Sequence, residues 1–424
     1  MHAVAYSESE LSSDTGNKHH RRSVAYVTDV EGNLNYWERY KKMSSVLTLE
    51  ANAQGTGTAQ QLGLKDGCEL VYGGDVVDRG SGDITVLMEI MALKRRHPHR
   101  VHIILGNRDI NKLRLIAELQ ADMIAQPPNV YWIRDPSDGM ETCGKAVERL
   151  KWILRRTMGA PDAFEHRRAE LRRLGLPCTD VDVAKSFMEL VCPAVLRDGH
   201  ESPAAEWGGG KWVLPKHMRG LLADYLAAGQ LALIMEDTLF VHGACRDENI
   251  GAGGEFGMHP FHRAKYGRDG VDFATELFGY MTKRGDVRYD LECLNRVKEL
   301  EMQDYNLQRY AVHNSARGHS WAKNGSYEDS QDGSRLLQYG MGWIPNGIPN
   351  KTVVYSNYFH KDIFTGKASL LPPSREMVTA LRKSGVRRVI VGHQPNGDAP
   401  LVLPSAYGMD TNGPRSSRRG CTGE

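Results

Sequence analysis

Three short polar stretches in fixed order each follow an apolar, β-branched run. Asp29-Val30-Glu31-Gly32-Asn33 follows Ser23-Val24-Ala25-Tyr26-Val27-Thr28. Gly74-Asp75-Val76-Val77-Asp78-Arg79-Gly80 follows Glu69-Leu70-Val71-Tyr72, and Gly106-Asn107-Arg108-Asp109 follows Val101-His102-Ile103-Ile104-Leu105. Each precedes a helical pattern, so the order strand, helix, strand, helix predicts parallel pairing with right-handed crossovers. Carboxylates, an amide and arginines then collect at the carboxyl ends of strands, the rim where open α/β sheets bind ligands.

Other elements follow from periodicity. Ile84 to Arg96 carries apolar residues at helical spacing and stops at His97-Pro98, and Ile110 to Ala125 is a helix ended by Pro127-Pro128. Residues 51–66, rich in Gly, Gln, Ala and Thr, are expected to form a loop. From Lys145 to Gln230 the pattern is helical, with breaks at Gly159-Ala160-Pro161 and Gly175-Leu176-Pro177, and Asp162 with Glu165 suggests a capping box. Leu231 to Met235 and Thr238 to Val241 form a hairpin turning at Glu236-Asp237. A long helix spans Asp286 to Tyr310, 313–350 is dense in Gly, Asn and Ser, and a helix from Ser374 to Lys383 delivers the strand Arg388-Val389-Ile390-Val391.

At 424 residues the chain suits one large domain with insertions or two domains. The expectation is a disordered leader at 1–22 and a single domain over 23–424, with a helical insertion at about 128–230 and a loop-plus-helix insertion at about 250–375. Lysine and arginine number 54 against 52 acidic residues, a net charge of +2, which indicates no strong nucleic-acid footprint. The basic clusters Lys94-Arg95-Arg96 and Arg167-Arg168 are expected on solvated helix faces. No run approaches the roughly 18 apolar residues that span a bilayer. The polar start lacks a signal peptide's apolar stretch, and the seven cysteines include no Cys-x-x-Cys pair. A reduced cytoplasmic or nuclear setting is expected.

Oxygen ligands at a strand-end rim suit divalent metals, and an adjacent arginine suits a phosphate. Val241-His242-Gly243 and Val391-Gly392-His393-Gln394-Pro395 end strand-like runs in the same way and add imidazoles. The set predicts a metal-dependent phosphoester hydrolase. Two-metal hydrolysis needs cations about 3.5–4 Å apart, bridged by a carboxylate. Asp75 suits the bridge, Asp29 the first metal, and Asn107, His242 and His393 the second, with a cation-bound hydroxide as nucleophile and Arg79 on the phosphate.

These motifs, together with His242-Gly243-Ala244-x-x-Asp247-Glu248-Asn249 and Met409-Asp410-Thr411, resemble the calcineurin-like metallophosphoesterase superfamily. The branch most similar holds serine/threonine phosphoprotein phosphatases and diadenosine tetraphosphatase-like enzymes. The resemblance implies an α/β fold of four αββα layers around two sheets, here with helical insertions. It also implies two divalent ions, manganese, iron, zinc or magnesium; the extra carboxylate of Glu31 makes the first site harder and more anionic, so manganese is the first expectation. It implies a phosphoprotein, nucleotide or dinucleoside polyphosphate as partner and substrate; the lack of a long apolar run gives the expectation of no membrane partner.

Two positions depart from the family pattern. Glu31 stands where the first motif has a histidine ligand, and Arg108 where a catalytic histidine follows the asparagine. That histidine is paired in the family with the aspartate equivalent to Asp78. The implied metal set is Asp29, Glu31, Asp75, Asn107, His242 and His393, with Asp78, Arg79 and Arg108 catalytic and the two arginines on phosphate. Arginine donates no proton at neutral pH, so poor leaving groups should suffer most. Glu31 and Arg108 could instead pair with each other, leaving one metal or an inactive phosphate-binding scaffold. Arg108 is therefore open between phosphate contact and a salt bridge to Asp78 or Glu31, and Asp410 between support of the site and a plain strand end. Asp109 is expected to cap the following helix and brace the motif. His259, His262, His313 and His319 are expected on solvated surface, and Trp132, Trp152, Trp207 and Trp212 in packing around the helical insertion.

Overall fold

The computed structural model describes residues 23–51, 60–125, 145–199, 201–207, 211–246, 249, 286–306, 335–344, 348–349, 352–361 and 368–394. The leader at 1–22, Trp132, His259, His262, His313, His319, Asp410 and the tail after Gly413 lie outside the described residues.

The chain is mixed α/β. In order it forms β1 (Ser23–Val27), α1 (Leu34–Met43), β2 (Leu47–Ala51), β3 (Gln60–Leu64), β4 (Cys68–Tyr72), α2 (Asp83–Arg96) and β5 (Val101–Ile103). Four short or medium helices follow: α3 (Asn107–Ile110), α4 (Arg114–Glu118), α5 (Ala121–Ile124) and α6 (Ala146–Thr157). Next come α7 (Ala163–Arg173), α8 (Asp180–Leu190), α9 (Leu221–Ala228), β6 (Ala232–Met235), β7 (Thr238–Val241), α10 (Val287–Asn306) and α11 (Arg335–Tyr339). Short strands β8 (Trp343–Ile344), β9 (Ile348–Pro349), β10 (Phe359–Lys361) and β11 (Ala368–Leu370) precede α12 (Arg375–Lys383) and β12 (Arg388–Ile390).

Two three-stranded sheets set up the rim. In the first, β4 lies between β1 and β5, all parallel. The register pairs Val27 with Tyr72 and Tyr72 with Ile103, so three strands end together and release their polar motifs along one edge. In the second, β7 pairs antiparallel with β6 and parallel with β12, aligning Phe240 with Ile390. The residues after β7 and β12 therefore emerge side by side.

Strand parity divides the core. Tyr26, Val71, Ile104 and Phe240 form one buried cluster, with Val24, Leu233, Met235 and Ile390 packed against it. Their neighbours Ala25, Val27, Leu70, Tyr72, Leu239 and Val241 join a larger cluster containing α2 residues Ile84, Leu87 and Ile90. Alternation with both sets buried is the signature of a strand covered on two faces. Tyr26 and Phe240 bring the two sheets together, with ring centroids 5.8 Å apart. Full burial of such a side chain contributes about 1.5–3 kcal/mol.

Several expectations are corrected here. The loop at 51–66 is partly a hairpin: β2 pairs with β3 from Leu47↔Leu64 to Ala51↔Gln60, because Leu62 and Leu64 alternate into the core. The single helix from Ile110 to Ala125 is broken. It starts at Asn107 and tightens into a 3-10 turn at Asn111–Leu113, where Lys112 turns inward to polar partners. Asp162 makes no capping bond and Glu165 pairs with Arg168 at 2.8 Å; the box forms at Thr179 and Asp182 instead. Between α8 and α9 the expected helix is a run of short turns, gathered by Glu189, which accepts from the backbone of Val213 and Leu214 and from Ser202.

Arg167 is not on a solvated face. It is 1% exposed, bonds Asp83 at 3.0 Å and lies 3.6 Å from Glu170. Glu170 in turn accepts from Ile84 N and Thr85 N, capping α2 where Gly82 offers no side chain. The helical segment is thus fastened to the helix that follows the second motif. Among the described residues, no helix is long and apolar enough to cross a membrane.

Candidate functional site

Backbone strain marks the rim. Six described non-glycine residues have positive φ; five are Asp29 (51°), Glu31 (49°), Asp75 (54°), Asp78 (109°) and His393 (67°), and the sixth is Glu236 in the hairpin turn. Such conformations cost of order 1–3 kcal/mol each and gather where a site over-determines them. Two glycines allow the approach. Gly74 has φ of 98°, and a Cβ there would meet Gly106 N at 2.6 Å and His242 Nδ1 at 2.7 Å. A Cβ on Gly106 would collide with Asp75. Asp109 braces both turns, accepting from Gly106 N (2.8 Å), Asp75 N (3.0 Å) and Val76 N (2.7 Å). Burial, with Asp75 nearby, lifts its pKa to about 7. The bracing expected of Asp109 is the contact observed.

On one side of Asp75 lies a set of lone pairs. Asp75, His242 and His393 each offer a ligand atom, all within 4.8 Å of one another. His242 is fully buried, and its Nδ1 donates to Gly73 O at 2.8 Å, since a carbonyl can only accept. Its Nε2 therefore faces Asp75 Oδ1 at 3.4 Å and Asn107 Oδ1 at 3.3 Å. Burial alone would lower the His242 pKa, but Asp75 and Asp29 hold it up at about 10: a positive charge is favoured at Nε2. The Asp75 carboxyl, although buried, is held well below the usual range by His242 and Arg108. Burial and His242 push His393 down to about 3, which keeps its ring neutral. That ring stacks edge-on against His242 (5.2 Å) and Tyr355 (4.9 Å). Two imidazoles, an amide oxygen and a carboxylate make a donor set that suits a first-row divalent cation. The carbonyl behind His242 is the kind of partner that fixes a metal-ligating tautomer.

The other side of Asp75 is occupied by cations from the chain itself. Arg108 Nε lies 2.7 Å from Glu31 Oε1 and 3.7 Å from Asp75 Oδ2, while its Nη1 lies 3.5 Å from Asp78 Oδ2 and donates to Met158 O at 3.2 Å. The Arg108 backbone N–H donates to Asp75 Oδ1 at 2.8 Å. Glu31 Oε2 takes the Nη1 of Arg79 at 3.3 Å; that arginine side chain is 55% exposed, whereas Arg108 is 10% exposed. Burial raises the Glu31 carboxyl to about 7 despite both arginines. Lys112 Nζ donates to Asp78 Oδ2 (2.6 Å), Arg108 O (3.0 Å) and Asn111 Oδ1 (2.8 Å). Asp29 Oδ2 accepts from Thr28 Oγ1 at 2.6 Å and from His393 N at 3.1 Å.

The rim thus gathers Asp29, Glu31, Asp75, Asp78, Asn107, Arg108, His242 and His393, with Arg79 at the solvent side. Glu31 faces arginines, and Arg108 makes both salt bridges left open above. Sequence reasoning missed Lys112, Tyr355, Thr28 and the link from Arg167 through Asp83 to Asp78 N (3.1 Å). Only Lys112 carried a sequence signal, lying four residues after Arg108 and so on the same helix face; Tyr355 arrives from a distant segment.

No family model matches the chain, and no curated relative does. Among solved structures it is similar to a protein serine/threonine phosphatase from Saccharomyces cerevisiae, at 14% identity and a TM-score of 0.20, over 53% of this chain and 38% of that one. It is also similar to a cold-active protein-tyrosine phosphatase of a psychrophilic Shewanella species, at 13% identity and a TM-score of 0.34, over 88% of this chain and 65% of that one. The chain spans less than two thirds of both. At scores this low the likenesses decide nothing about activity.

Proposed function

We propose that the chain is a metal-dependent phosphoric ester hydrolase of the calcineurin-like metallophosphoesterase type, acting on a phosphomonoester or phosphoanhydride. The observation that carries this is the convergence of Asp75, His242 and His393 to within 4.8 Å, with Asn107 Oδ1 beside them, from four strand ends. The strand alternation, one face toward the other sheet and one toward helices, supports a four-layer αββα sandwich with helical insertions.

The donor set fits a divalent cation, because two ring nitrogens, a carboxylate and an amide oxygen meet there and the Gly73 carbonyl fixes Nε2 as the His242 atom turned toward them. Asp75, Asn107, His242 and His393 would hold it, a mixed imidazole and oxygen set open to manganese, iron or zinc. When bound, such a cation supplies Lewis acidity toward a phosphoryl oxygen and acidifies water. The chain's own groups do the rest. Arg79, exposed at the mouth, can grip two phosphate oxygens through its planar fork. Arg108, beside Asp75, stabilises negative charge as it develops, without moving a proton. Gly74 and Gly106 let the turns that carry Asp75 and Asn107 pack against each other and against His242.

With a fixed guanidinium in place of a proton donor, the site should favour good leaving groups: aryl phosphates and anhydrides over phosphoserine. General-acid help is worth about 10²–10⁴ in rate. Turnover of 4-nitrophenyl phosphate with added manganese, compared with a phosphoserine peptide, tests this. A manganese-dependent aryl phosphatase that is weak on the peptide is expected; equal rates would contradict the leaving-group argument. A second reading, a phosphate- or phosphoprotein-binding scaffold without turnover, is favoured by the two histidine replacements, Glu31 and Arg108, which pair with each other at 2.7 Å. Phosphate binding with no turnover on any phosphorylated substrate would select it.

A further inference from the structure

The resemblance that points to hydrolysis also implies two cations, and the geometry argues against the first of them. A cation beside Asp29, Glu31 and Asp75 would need lone pairs from Glu31. Both of its oxygens face guanidinium groups instead, Oε1 that of Arg108 at 2.7 Å and Oε2 that of Arg79 at 3.3 Å. Arg108 itself lies among the carboxylates of Glu31, Asp75 and Asp78, at 2.7, 3.7 and 3.5 Å.

It is also held there. Its side chain is 10% exposed, its Nη1 is anchored on Met158 O at the end of α6, and its backbone N–H is bound to Asp75. An exposed arginine could swing aside for an incoming ion; this one would give up contacts with three carboxylates and a carbonyl at once. Lys112 completes the arrangement by filling Asp78 Oδ2 at 2.6 Å. Any divalent ion placed against Glu31 would meet a guanidinium at contact distance and be repelled by it.

We infer that the Arg108 guanidinium takes the place of the first cation, so that the chain binds a single divalent ion, at Asp75, Asn107, His242 and His393. This rests on the reading of the site as a cation-dependent phosphoesterase centre. The permanent charge of Arg108 does at that position what a metal would do electrostatically, and it supplies planar donors to a phosphate besides. The helical segment becomes part of the site, because α6 provides the carbonyl that aims the guanidinium.

The test counts ions rather than turnover. Full-length protein is loaded with manganese(II), freed of excess by desalting, and analysed for manganese per chain and by electron paramagnetic resonance. One ion per chain, with the spectrum of an isolated manganese centre, is expected. Arg108→His and Arg108→Met should each take up a second ion, magnetically coupled to the first. Two ions in the wild-type protein would overturn the inference and leave the phosphoesterase reading standing. No retained ion would overturn that reading itself. One ion in the wild type and still one in both folded variants would show that Arg108 is not what excludes the second. The wild-type count stands as a test even if neither variant folds.

Discussion

On one side of Asp75 stand His242, His393 and Asn107; on the other stand Glu31 and Asp78 with Arg108, Lys112 and Arg79 pressed against them. The first group brings two ring nitrogens, an amide oxygen and a carboxylate toward a common space, with the buried His242 Nε2 beside Asp75 and Asn107 oxygens. The second already contains its countercharges, and its carboxylate oxygens are largely taken. Converging lone pairs are costly to bury until a cation joins them, whereas paired charges with good geometry hold together alone. One rim therefore carries a half built to receive an ion and a half built to do without one. Acidic residues at neighbouring strand ends need not share a role.

The largest effect expected from breaking this contrast comes from Asp75, the residue common to both halves. Asp75→Asn should abolish manganese retention and lower aryl phosphate kcat/KM by about 10³-fold, read by titration calorimetry and initial rates; retained binding would erase the distinction between the halves. Next is Lys112→Met. Removing a buried cation from Asp78 should destabilise the fold by about 3–5 kcal/mol, measured by urea unfolding; a change near zero would mean that the paired half does not depend on its ammonium.

Thr28→Val sharpens the position of Asp29. Losing a hydroxyl donor to that carboxylate should cost about 1.5–3 kcal/mol of stability while leaving the manganese Kd within a few-fold. A large loss of affinity would instead move Asp29 into the ion-binding half. The smallest effect is expected at Tyr355→Leu, which removes an edge-on ring contact with His393 worth about 0.5–1.5 kcal/mol. It should appear as a modest rise in manganese Kd with unchanged unfolding of the rest.

The ion-receiving half was the more legible of the two in the sequence. A short polar motif after a β-branched run places its side chain at a strand end whatever lies elsewhere, and the register that aligns Val27, Tyr72 and Ile103 does the rest. In the self-paired half, the pairing of Arg108 with Glu31 or Asp78 was open in the sequence, but the contacts that fix it are tertiary. Lys112 lies a helical turn after Arg108, but Asp78 meets it from thirty-four residues away, and Met158 meets Arg108 from fifty. Arg167 misled for the same reason: in a run of charges it resembles a solvated face, and its burial follows from Asp83 and Glu170 being folded against it. The hairpin of β2 and β3 was hidden by Gly and Gln on its polar face, although Leu62 and Leu64 already alternated.

The measurement closest to the central claim is anomalous diffraction from crystals of the full chain grown with manganese. A strong peak bounded by Asp75, Asn107, His242 and His393 is expected, with Arg108 still paired to Glu31. Absence of density there, or manganese bound only at residues elsewhere in the molecule, would contradict it.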